Sequence, residues 1–161
     1  MIYSIKKKLL FIIKSFGYSI LSILYRKINT FVDSKNHKSV EIINSFFTKN
    51  YSYKIFKIQN CRIYTDTIND TAFILDNKIV KGPSFQLRNT KNSDISNNIV
   101  FKKGTPKLKK NLKGKVFSLL TGGAGNENYW HWLFDVLPRL KILKNQLDLN
   151  EIDFFLFPGL E

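Results

Sequence analysis

The segment from Val116 to Phe157 constrains the fold of this chain more than any other. Val116-Phe117-Ser118-Leu119-Leu120 reads as a strand, Thr121 to Glu127 as a glycine-rich loop and Asn128 to about Leu147 as a helix. Phe154-Phe155-Leu156-Phe157 reads as a second, fully apolar and buried strand closed by Pro158-Gly159. Two strands joined through a helix of this length do not make a hairpin. They make a right-handed βαβ crossover in a parallel sheet. Parallel sheets need helices on both faces, and the sequence stops at Glu161, just after the second strand. The chain is therefore expected to be truncated, or to require a second chain or a missing C-terminal domain.

The helix of that unit is unusual. Trp130, Trp132, Leu133, Phe134, Val136, Leu137 and Leu140 surround it with apolar groups, which predicts a buried helix. His131, Asp135 and Arg139 interrupt them at i, i+4 and i+8 and so form one stripe. Burying such groups is costly unless they pair. Asp135 can hold Arg139, or it can hold and orient His131. Pro138 removes the backbone bond to the Phe134 carbonyl and predicts a kink.

The loop ahead of the helix, Gly122-Gly123-Ala124-Gly125, lies where free N–H groups and the positive end of the helix dipole favour an anion such as a diphosphate. Its glycines permit close approach of a ligand to the backbone. Their spacing matches neither a Walker loop nor the dinucleotide-binding fingerprint. A tight turn needing small residues reads equally well from this loop alone.

Upstream, strand patterns begin at Tyr53. Lys54 to Ile58 and Arg62 to Thr65 alternate, and Ala72 to Leu75 with Lys78 to Val80 frame a hairpin around Asp76-Asn77. Ser84 to Leu87 is a further short strand candidate, and the polar run 88–98 reads as loop. A short helix is expected over Ser39 to Phe47, with Asp33 or Ser34 as its cap. Cys61 is the single cysteine, so an internal disulfide is excluded and a small buried apolar role is expected. The chain reads as cytoplasmic.

The net charge is +14, from 26 basic against 12 acidic residues. That excess admits nucleic acid, anionic lipid or phosphorylated small molecules as partners. Part of it reflects a composition rich in Lys, Asn, Ile, Phe and Tyr throughout. Lys102 to Lys115 holds seven lysines, yet no aromatic residue interleaves to stack bases, which argues against nucleic acid.

At the N-terminus, Lys6-Lys7-Lys8 precede a five-residue apolar run ended by Lys14. The run lacks a cleavage site and is too short and too charged to span a bilayer. As a helix it places Ile5, Leu9, Ile12, Phe16, Ile20, Ile23 and Tyr25 near one side. Two readings stand: a basic amphipathic helix on an anionic membrane surface, peripheral at the inner face, and a terminal helix docked on the domain.

The organisation expected is α/β. A basic amphipathic helical segment, 1–32, leads an incomplete domain, 33–161, made of a β-rich part (53–101), a basic loop (102–115) and the βαβ unit (116–161).

The run Asn128-Tyr129-Trp130-His131-Trp132-Leu133-Phe134-Asp135-Val136-Leu137-Pro138-Arg139-Leu140 resembles glycosyltransferase family 61. The resemblance covers about residues 55 to 157 and implies the N-terminal half of a GT-B-type enzyme, with two Rossmann-like halves facing a cleft. It implies sugar transfer from a nucleotide-sugar donor to a hydroxyl acceptor, a glycan among others, and in bacterial relatives surface polysaccharide assembly. It implies no catalytic metal and no cofactor beyond the donor. Family members are about twice this length, and their second half carries most of the donor site.

On that basis His131, oriented by Asp135, is the candidate general base, with Asp135 as its substitute. Gly123, Ala124, Gly125 and Arg139 are candidates for the departing diphosphate. Asn126 and Asn128 either cap the helix or bind sugar hydroxyls. Trp130 either stacks on a sugar face or packs in the core. The competing class is a non-catalytic membrane-surface module anchored by residues 1–28 and the basic segment.

Overall fold

The computed structural model describes residues 2–48, 51–66, 69–87, 95–105, 107–121 and 128–157, with backbone alone for 2–5, 45–48 and 51. The architecture is mixed α and β.

Helix α1 runs over Ile2–Tyr25, 24 residues. It stops seven residues before the boundary expected at 32. Arg26 adopts a left-handed φ of 61° and turns the chain out of the helix, and Ile28, fully buried, fastens it to the core two residues later. The apolar pattern does not end at Lys14, because the helix continues through Gly17. Lys6–Tyr25 is long and apolar enough to cross a membrane by length and composition, which corrects the expectation drawn from the five-residue run.

Strand β1 (Thr30–Asp33) follows, and Asp33 caps a 3-10 turn, Ser34–Asn36, by accepting from the Lys35 N–H at 2.9 Å. The expected helix over Ser39 to Phe47 is a strand instead, β2 (Val40–Thr48). It pairs antiparallel with β3 (Tyr51–Ile58), with Val40 opposite Ile58 and Ile42 opposite Phe56. The β-branched Val40, Ile42 and Ile43 suit that pleated surface, and cross-strand pairing prevails over the weak helical spacing. The β-rich part thus starts at Thr30 rather than at 53.

The main sheet has the order β1-β6-β5-β4, with β7 on β5. Its members are β4 (Arg62–Thr65), β5 (Asp70–Leu75), β6 (Lys78–Lys81) and β7 (Phe85–Gln86). All pairs are antiparallel except β1 with β6. Asp76 and Asn77 take φ of 47° and 59°, the left-handed pair that a two-residue hairpin demands. At Gly82, φ 107°, a Cβ would stand 2.8 Å from the Phe56 ring, so the glycine lets the β2–β3 hairpin approach the main sheet. Ile28, Ala72, Ile74, Ile79 and Val100 form the core here. Each of the isoleucine and valine side chains contributes about 1.5–3 kcal/mol by leaving water.

Within the run read as loop, Ile95–Asn97 forms a 3-10 turn and Asn98 is fully buried. Its amide donates to the carbonyls of Phe85 at 3.1 Å and Thr71 at 3.4 Å, and its Oδ1 accepts from the Val100 N–H. A short helix α2 (Val100–Lys103) then leads into the basic segment.

The βαβ unit is present. Strands β8 (Val116–Ser118) and β9 (Phe154–Leu156) pair in parallel, with Val116 opposite Phe154. Between them lie α3 (Tyr129–His131), a π-helical turn (Trp132–Val136) and α4 (Leu137–Lys144). Leu119 and Val136 form its core, with Phe117, Trp132 and Leu140 against them. At Gly114, φ 138°, a Cβ would meet the Asp153 carboxylate, which accepts from the Lys115 N–H at 2.6 Å and ties the base of the unit together. Strand β9 is not buried as its sequence suggested. Phe154, Phe155 and Phe157 stay partly open, although Phe155 meets the Phe117 ring and Phe157 meets Trp132.

Candidate functional site

The site assembles on the helical run after the glycine-rich loop. Asn128 is its N-cap, its side chain accepting from the Trp130 N–H at 3.1 Å. This is the capping role, in which the Asx geometry satisfies a helix donor that otherwise has no partner. Gly123, Ala124, Gly125 and Asn126 lie outside the described residues. Thr121, the last residue described before them, is buried, and its hydroxyl has no hydrogen-bond partner among the described residues.

Pro138 was expected to kink the helix. The chain widens into the π-turn just ahead of it, and Leu137 N–H reaches back five residues to the Trp132 carbonyl. The missing proline N–H leaves the α ladder one donor short, and a π-turn is one way to absorb the defect.

Across that turn Nδ1 of His131 lies 2.6 Å from Oδ2 of Asp135. Both side chains are partly open, 38% and 44% exposed. Of the two partners open to Asp135 in sequence, the structure selects His131. Arg139 turns inward and donates from Nη1 to the Leu120 carbonyl at 3.1 Å, two residues past the end of β8. Burial pushes its guanidinium below the ordinary value, while the nearby Asp135 charge pulls it back. It remains a cation at neutral pH.

The helix is not buried on all sides, which corrects the reading of its apolar wheel. Trp130 is 69% exposed and stacks on Phe134, ring centroids 5.2 Å apart at 16°. Tyr129 and Leu137 are exposed as well. Trp132 takes the packing role, stacked on Phe157 at 6.0 Å. Hydrophobicity alone does not tell such a face from a core face. Two β8–β9 strands are too narrow to cover the helix all round, and the apolar surplus stands open.

The triad does not converge. His131 and Asp135 pair, Trp130 stacks on Phe134, and Arg139 engages the Leu120 carbonyl. Two open clefts lie elsewhere. One, of about 660 Å³, is lined by Asp33, Lys35, Tyr53, Lys54, Phe56 and Lys81, and the other, of about 300 Å³, by Lys27, Asn29, Phe31 and Phe101. Among the described residues no three His, Cys, Asp or Glu side chains gather as a metal site. Compared with protein-family models, curated proteins and solved structures, the chain finds no match in any of the three.

Proposed function

We propose that this chain acts in glycosyl transfer, with His131 as the base that takes the proton of an acceptor hydroxyl. The observation that carries this is the 2.6 Å contact between His131 Nδ1 and Asp135 Oδ2. A carboxylate accepting from Nδ1–H fixes the neutral tautomer whose Nε2 lone pair is available as a base. This is the arrangement acid–base chemistry at neutral pH needs, and it falls within the run that resembles glycosyltransferase family 61. The chain then corresponds to the N-terminal half of a GT-B-type fold.

In an inverting transfer the acceptor oxygen attacks the anomeric carbon as Nε2 takes its proton. The bond from that carbon to the diphosphate oxygen breaks, and the nucleoside diphosphate leaves with the electron pair. Arg139 and the backbone amides of Gly123, Ala124 and Gly125 are the groups proposed to meet the diphosphate charge. Trp130 is open enough for a sugar face to stack on it. A hexosyl or pentosyl donor, and an acceptor belonging to a surface polysaccharide, fit the resemblance.

The test is to incubate the protein, as its own gene encodes it, with a panel of nucleotide sugars and hydroxyl acceptors. Released nucleoside diphosphate and glycosylated product are then measured together. Turnover that depends on His131 supports the proposal. Turnover unaffected by His131→Ala overturns it.

A further inference from the structure

Helix α1 is docked the wrong way round for a soluble protein. At ~100° per residue, Leu9, Ile12, Phe16, Ile20 and Ile23 share one arc, and Tyr18, Ser22 and Tyr25 share the opposite one. The half-buried positions are Gly17, Tyr18, Leu21, Ser22 and Tyr25. The chain therefore covers the polar and tyrosine side and leaves the apolar arc outward, with Phe16 68% and Ile23 82% exposed. Tyr25, which the sequence grouped with the apolar side, belongs to the covered one.

The C-terminal end of the helix is tied to the domain. Ile28 is buried in the main core, two residues beyond the left-handed Arg26. The Tyr25 hydroxyl accepts from the Lys109 N–H at 3.3 Å, and Lys109 Nζ stands 4.6 Å from the centre of the Tyr25 ring. These contacts bring the lysine-rich segment to the foot of the helix. Lys107, Lys109, Lys110 and Lys113 are all exposed there, together with Leu108 and Leu112.

We propose that α1 lies in the plane of an anionic phospholipid bilayer, its Leu9–Ile23 arc sunk among the acyl chains and the Lys107–Lys113 segment on the headgroups. Charge complementarity selects this occupant. An open apolar arc flanked by Lys6, Lys7 and Lys8 at one end and by the basic segment at the other suits a surface that is apolar below and anionic above. Lys7 and Lys14 fall on the upper arc, from which their ammonium groups reach headgroups. The hydroxyls of Ser19 and Ser22 are satisfied within the helix, on the carbonyls of Ser15 and Ser19. A spanning attitude suits the structure less well. It places Lys14 in the hydrocarbon and draws the half-buried Tyr18, Ser22 and Tyr25 side into the bilayer with it.

The full chain is sedimented with vesicles of phosphatidylcholine alone, and with vesicles containing about one third phosphatidylglycerol. The expected result is binding at least about tenfold stronger to the anionic vesicles, weakened by salt. Phe16→Asp with Ile20→Asp abolishes binding to both, and glutamine at Lys107, Lys109 and Lys110 removes the anionic preference alone. Alkaline carbonate washing releases the protein. Because these side chains are exposed, circular dichroism of the variants is expected to match the parent. Three results overturn the proposal: vesicle binding unchanged by the aspartates, retention through the alkaline wash (a spanning helix), or no vesicle binding together with a dimer that the aspartates dissociate (a second copy on the apolar arc). Vesicle binding is read without any transferase assay, so its failure is distinct from failure of the sugar-transfer proposal.

Discussion

Asp135 grips Nδ1 of His131 at 2.6 Å across a π-turn rather than an α-turn, on a helix whose aromatic face stands open beside the pair. Two groups that act as one unit give non-additive losses. Asp135→Asn and His131→Ala should each lower turnover by about 10²-fold, and the double variant should lose little more than the worse single one. Steady-state kinetics on the four proteins measures this. Additive losses would mean that the two side chains act separately.

The π-turn itself is open to test through Pro138. Pro138→Ala returns an N–H that can bond the Phe134 carbonyl, and the segment should then close to α-helical spacing. Thermal stability should hold or rise, while turnover falls by about tenfold as the pair, still facing at i and i+4, turns relative to Arg139. Amide exchange over residues 132–139, alongside turnover, reads both effects. Unchanged turnover with a regularised helix would show that the turn has no part in positioning the pair.

Asn98 holds the segment before α2 to the main sheet through two carbonyls and one N–H. Asn98→Ala leaves the Thr71 and Phe85 carbonyls and the Val100 N–H without those partners, and should cost about 2–3 kcal/mol. Urea unfolding measures it, and a loss below about 0.5 kcal/mol would contradict the role given to this amide.

Burial pushes the Cys61 thiol up to about 11 from an ordinary 9.0. The folded value is raised, so the stability this contributes is fully present below the unfolded value and is lost as pH rises through the folded one. Unfolding free energy should therefore decline between about pH 9 and 11, and Cys61→Ala should flatten that decline. At pH 8 the native thiol should react with a maleimide about 10²-fold more slowly than the thiol in urea. Equal rates would mean that the thiol is open.

Much of the fold is legible from local chemistry. Asp76-Asn77 specifies its hairpin because both residues tolerate the left-handed backbone the turn requires, and strand, helix and strand at the spacing of 116–157 specify parallel pairing. Asp33 caps a turn, although the helix expected after it is a strand, because Val40 to Thr48 finds a partner in Tyr51–Ile58 that no local propensity reveals. The polar stripe of His131, Asp135 and Arg139 is visible in the sequence, but its pairing is not. Arg139 turns to the Leu120 carbonyl, whose position only the tertiary structure sets. Trp130 and Trp132 look alike as letters, and one is open while the other stacks on Phe157. Asn98 sits in a polar run that reads as loop, with no periodic signal to mark it as buried.

The most direct measurement is glycosylated product formed by His131→Ala against the parent, with the same nucleotide-sugar donor, acceptor and protein concentration, both proteins matched for thermal midpoint. A loss of about 10²-fold or more at an unchanged midpoint is the result expected if Nε2 takes the acceptor proton. Product formed at the parental rate would contradict it and leave the His131–Asp135 contact as a structural tie.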